Sequence, residues 1–136
     1  MKGDAKSPQL EIPNKQALIE ATRRSVERRG GFFAVRNESG LESALARVDS
    51  LLAYADPQPD IFASAAVVAE GIVRNHPFAD GNKRSALIAA IMTVELNGSI
   101  LDAREADAAE AIEQLSNKKI GADDFAQFLR RFSYQP

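Results

Sequence analysis

Nine consecutive residues, His76-Pro77-Phe78-Ala79-Asp80-Gly81-Asn82-Lys83-Arg84, place a base, a carboxylate, a glycine-containing turn and two cations side by side. His76 is the sole histidine of the 136-residue chain. A free imidazole titrates near pH ~6.5, so a neutral His76 can take a proton from an attacking hydroxyl at cellular pH. Asp80 supplies a hard oxygen ligand, and magnesium held by one carboxylate together with nucleotide phosphates suits that ligand. Gly81 and Asn82 tolerate left-handed backbone, which lets successive N–H groups turn inward as an anion nest where the following helix begins. Lys83 and Arg84 fall in the first turn of that helix, where its macrodipole disfavours cations unless an anion occupies the nest. The run thus spells phosphate binding beside a base. The same spacing also describes an ordinary surface turn with an incidental histidine.

Two apolar stretches must position this run. Pro77 disfavours helical geometry at His76, so the preceding helix ends at or near the histidine. That helix, capped by Asp60, is apolar around most of its circumference through Ile61, Phe62, Ala65, Val68, Ala69, Ile72 and Val73, and is expected to be central and buried. The following stretch, 85–96, is again nearly all apolar and stops at Asn97-Gly98. Phe78, the bulky apolar residue of the loop, is expected to anchor it in the core.

Further helices follow from periodicity. Asn14 is a plausible N-cap for a helix carrying Leu18, Ile19, Thr22 and Val26, with Gly30-Gly31 as its stop. Residues 30–40 suit a loop or small hairpin that forms a flap. Leu41, Leu45, Val48, Leu51 and Leu52 share a face of the next helix, which ends before Asp56-Pro57-Gln58-Pro59. Residues 99–101 read as a short extended piece, and Asp102 with Glu105 has capping-box spacing for a helix through Ala108, Ala111, Ile112 and Leu115. A last helix carries Phe125, Phe128, Leu129 and Phe132. With no alternating stretch long enough for a convincing strand, the expected architecture is a compact all-α single-domain bundle of about six helices. A loose lead-in over residues 1–13 precedes a domain over 14–136.

Composition narrows the function classes. The absence of cysteine removes disulfide frameworks, thiolate zinc sites and cysteine nucleophiles. A net charge of -2, from 17 basic and 19 acidic residues, gives no reason to expect direct nucleic-acid binding. Residues 1–13 carry neither the apolar core of a signal peptide nor the length of a membrane span, so a cytoplasmic protein without a membrane partner is expected. Arg23, Arg24, Arg28 and Arg29 cluster on one helical segment with Glu20 and Glu27 interspersed, readable as a solvated face or as an anion-binding surface.

HPFADGNKR closely resembles the H-x-F-x-D/E-G/A-N-x-R signature of the Fic/Doc superfamily, carried on a loop between two helices of an all-α fold. Most adenylyl-transferring Fic enzymes have glycine before the final arginine. Lys83 in that place resembles the Doc (death-on-curing) toxin branch, as do Arg74 two residues before the histidine, the Gly30-Gly31 flap and the Asn97-Gly98 helix end. The resemblance covers about residues 14 to 133. It implies a general base at His76, magnesium at Asp80, and ATP phosphates at Gly81, Asn82, Lys83 and Arg84, with Arg74 orienting the loop or touching phosphate. It further implies ATP bound in the orientation that presents its γ-phosphate, a Ser, Thr or Tyr hydroxyl of a translation protein such as elongation factor Tu as acceptor, and Lys83 and Arg84 acting on transition-state charge. No S/T-x-x-x-E-G/N inhibitory segment is found, so restraint is expected in trans, from a Phd-like antitoxin whose disordered C-terminal segment folds onto the toxin. The leucines of the second helix and arginines of the first are candidates for that groove, although a core face explains the leucines equally. Two other readings stay open: a Fic-type AMP transferase, and an inactive binding module acting as co-repressor with the antitoxin.

Overall fold

Six helices and one two-stranded ribbon make up the described part of the chain, residues 10–136 of a computed structural model. In order they are α1 (Lys15–Arg28), α2 (Glu38–Tyr54), α3 (Ile61–Asn75), α4 (Asn82–Leu96), β1 (Ile100–Leu101), α5 (Glu105–Ser116), α6 (Ala122–Arg131) and β2 (Ser133–Tyr134). The expected all-α bundle is what the chain forms.

The centre is α3, which packs against α4, α2 and α6. Its small residues explain why. Ala65, Ala66, Val68, Ala69 and Ile72 are fully buried, and a Cβ on Gly71 would lie 2.7 Å from Cβ of Ala44, so α2 approaches more closely than any side chain there would allow. From α4 come Ala86, Ala89, Ala90 and Val94, and from α6 Phe125 and Leu129, all at or near zero exposure. No described helix is long and apolar enough to cross a membrane.

Helix starts follow sequence chemistry at three places. The Asn14 side chain accepts from the N–H groups of Gln16 and Ala17, and Asp60 accepts from Ala63 at 2.8 Å. Asn37 accepts from Gly40 at 3.0 Å, which starts α2 three residues earlier than its first leucine suggests. Gly40 is therefore not the end of a loop: it lies buried in the first turn of α2, with Asn75 Nδ2 donating to its carbonyl.

Two expectations are corrected. The capping box at Asp102 and Glu105 does not form. The N-cap of α5 is Arg104, while the N–H of Asp102 donates to Phe132 O at 2.7 Å and so extends the ribbon in which Ile100 pairs with Tyr134 and Leu101 with Ser133. The lead-in is not loose up to residue 13: Pro13 is buried, and the Asn97 side chain both accepts from Glu11 N and donates to Glu11 O. Residues 1–9 of the expected lead-in lie outside the described residues.

Candidate active site

The loop between α3 and α4 is built from two left-handed residues and the segment they bracket. His76 caps α3 at φ 47, ψ 58, with its N–H still donating to Ile72 O, and Gly81 precedes α4 at φ 83. Histidine tolerates that backbone at a cost of about 1 kcal/mol; here Pro77 obliges the helix to stop. The bend leaves the exposed imidazole projecting from the end of a buried helix.

Between these hinges the loop is held by the core and by α4. Phe78 is buried and packs on Phe33, ring centroids 5.7 Å apart, so it is the anchor that its type suggested. Asn82 fastens the same residue by its backbone: its Oδ1 accepts from Phe78 N at 3.0 Å and its Nδ2 donates to Phe78 O at 2.9 Å. Asn82 itself lies in the first turn of α4. Its side chain is a clasp, and only Gly81 of the pair adopts the left-handed conformation.

The flap runs antiparallel along the loop. Val35 bridges Phe78, Ala79 N donates to Ala34 O, and the N–H groups of Arg36 and Asn37 both donate to Pro77 O. Gly31 is the contact that sequence reasoning missed: a Cβ there would lie 2.5 Å from Oδ2 of Asp80. A Cβ on Gly81 would likewise lie 2.5 Å from Cγ2 of Val26. The end of α1 therefore backs the turn directly. A buried hydrogen bond between Thr22 and Ser85, 2.8 Å, fixes α1 to the first turn of α4.

Helix α4 starts without a side-chain cap and with no acidic residue in its first turn. The first N–H groups of a helix have no partner within it, and they carry the positive end of its dipole. Gly81 O already accepts from Ser85 N, so the helix proper is formed, and the amides of Asn82, Lys83 and Arg84 are those left at its start. Asn82 and Lys83 line a cavity of about 210 Å³ together with Val73, His76, Asp80, Gly81 and Ser116, whereas Arg84 does not. Base, carboxylate and helix end are thus brought together. Ser116, from the last turn of α5, is a lining residue with no signal in the sequence.

A second cavity of about 310 Å³ adjoins it, lined by Arg29, Lys83, Arg84, Leu87, Ile112 and Glu113 among others. Arg84 opens there, together with one residue of the arginine cluster. Lys83 lines both cavities, and its Nζ donates to Glu113 Oε1 at 2.6 Å. That bond, then one from Asn117 at 3.1 Å, holds the Glu113 carboxyl below the ordinary carboxylate range. The other expected surfaces resolve differently. Arg74 is paired with Glu70, which also receives Arg47, both at 3.2 Å, and it does not line either cavity. Arg23 and Arg24 pair with Glu20 as a solvated face, and Leu41, Leu45 and Leu52 are buried in the core.

Asp80 fits a magnesium ion bound chiefly through a ligand. It is exposed at the lip of the nest, and among the described residues no three acidic or imidazole groups converge to form a self-sufficient metal cage. Phosphate oxygens and water would complete such a shell.

A histidine on a left-handed helix end, followed in the same loop by a carboxylate and an uncapped helix, is set here in an all-α fold. Residues 12–94 match the sequence profile of the Fic/DOC family. A Toxin Doc from Mycolicibacterium smegmatis (strain ATCC 700084 / mc(2)155) is 32% identical over 106 residues, spanning 76% of this chain and 82% of that protein. The chain belongs to the Fic/DOC family.

Proposed function

We propose that this chain is a Doc-type toxin, a cytoplasmic phosphotransferase restrained by a Phd-like antitoxin, which moves the γ-phosphate of ATP to a hydroxyl of a translation protein. The observation that carries this reading is the sharing of one cavity by His76, Asp80 and the uncapped start of α4. The similarity to a Doc toxin supports the biological setting.

In this reaction the acceptor hydroxyl gives its proton to the His76 imidazole as its oxygen bonds the γ-phosphorus. The bond from that phosphorus to the bridging oxygen breaks, and ADP leaves. The amides of Asn82, Lys83 and Arg84 receive the phosphate oxygens at the start of α4, where the dipole favours negative charge. Lys83 and Arg84 approach the phosphates from the wall between the two cavities and from the second cavity. Asp80 would hold magnesium, which when bound offsets charge on the phosphate oxygens. Asn82, whose side chain clasps Phe78, serves the nucleotide through its backbone and the loop through its amide.

The test is transfer of label to protein from ATP labelled at either the α- or the γ-phosphate, with elongation factor Tu the first target tried and His76→Ala as control. His76-dependent γ-label is expected. The second reading is AMP transfer, in which the α-phosphate faces His76. His76-dependent α-label would establish it. No label from either nucleotide would leave the co-repressor module.

A further inference from the structure

Lys83 is held by a residue that the loop motif does not contain. Glu113 stands on α5, beyond the residues matched by the family, and is itself braced by Asn117 one turn later. The pair stands where the two cavities adjoin, since Lys83 lines both. A phosphate entering the nest must therefore compete with a carboxylate for the Lys83 ammonium.

We propose that Glu113 is a specificity-determining residue which, by competing for Lys83, makes the nest selective for a terminal phosphate over an internal one. The inference rests on the phosphotransfer reading above. A terminal phosphate carries about 1.5 to 2 negative charges near neutral pH. An internal phosphate of a nucleotide chain carries one, as the carboxylate does. Coulomb attraction to the ammonium scales with that charge, so the terminal group displaces Glu113 and the internal group meets an equal competitor. Glu113 is ionised over the whole neutral range, its carboxyl being held below the ordinary range by Lys83 first and Asn117 second. The competition also repels any anion that fails to recruit the lysine.

Glu113→Gln removes the charge and keeps the shape. Two readouts on the full chain test it, each in the native and the Lys83→Met background. The first is the Kd for ATP by calorimetry, expected to fall by up to about fivefold, the scale of an exposed ion pair. The second is the ratio of α- to γ-label transferred, expected to rise severalfold. Both effects should shrink or vanish in the Lys83→Met background, because they act through Lys83. Asn117→Ala should move both in the same direction by less.

An unchanged label ratio in Glu113→Gln, with γ-transfer and a native melting curve retained, overturns the inference and leaves the phosphotransfer reading standing. An equal change in both backgrounds also overturns it, since the effect would then not pass through Lys83. Failure of the native chain to bind ATP or transfer either label overturns both proposals.

Discussion

Helices α3 and α4 are the two most buried in the molecule, joined by residues 76–81, and they begin in opposite ways. The start of α3 is closed: Asp60 accepts from Ala63, and its other oxygen receives Arg130 at 2.9 Å. The start of α4 is open, preceded by a left-handed glycine, without a side-chain cap, and carrying Lys83 and Arg84 where α3 has neutral residues. A capped helix start is finished within the chain. An uncapped one bearing cations gains about 0.3–1 kcal/mol when something anionic meets it, and in this fold the imidazole and the carboxylate stand at the same opening.

The comparison can be broken most severely at His76. Replacement by alanine should lower transfer about 10²- to 10⁴-fold, the range for a positioned general base, while the Kd for ATP changes little. Equal loss of binding and turnover would mean that the imidazole holds the loop and does no chemistry.

Gly81→Ala attacks the open end directly. The left-handed φ and the 2.5 Å approach to Val26 should together cost about 1–3 kcal/mol of stability, read as a lower Tm. Because the distortion falls at the nest, ATP binding should weaken more than an equal loss of stability elsewhere would cause. Asp60→Ala is the matched control at the closed end: about 1 kcal/mol lost with the cap, read by denaturant titration, and unchanged ATP affinity.

The smallest effect is that of pH on the closed end. Partial burial raises the Asp60 carboxyl, but the Ala63 N–H and then the Arg130 guanidinium outweigh it and leave it below its ordinary value. A carboxyl lowered on folding stabilises the fold above its unfolded value, and that contribution is lost as pH falls through the folded one. The difference in Tm between native chain and Asp60→Asn should therefore be full near neutrality and shrink below about pH 4. A difference that grew on acidification would invert the assignment.

The parts of this architecture legible from sequence are those governed by local chemistry. Asn14 and Asp60 cap as their types dictate, Pro77 ends α3 at His76, Gly98 follows the end of α4 at φ 91, and Phe78 goes to the core. What escaped was set by partners that the local pattern does not name. Asp102 has the spacing of a cap, but Phe132 claims its N–H for the ribbon. Gly31 matters because Asp80 comes against it, 49 positions on, and Arg74 turns to the nearly buried Glu70 instead of the loop. Lys83 is the sharpest case: its place in the motif is visible in nine residues, whereas its partner Glu113 lies 30 positions away on a helix whose own pattern gives no hint of it.

The lacing of flap to loop has a consequence for motion. With Val35 bridged to Phe78, Ala79 bonded to Ala34, and Arg36 and Asn37 both bonded to Pro77 O, the flap and the loop share their backbone bonds. Such a segment opens as one cooperative unit, since lifting the flap strips the loop of the partners that keep its bend. Under the proposed reaction, a detached flap and a positioned His76 are alternative states, so the fraction of time the flap spends detached would subtract from the fraction of molecules able to turn over.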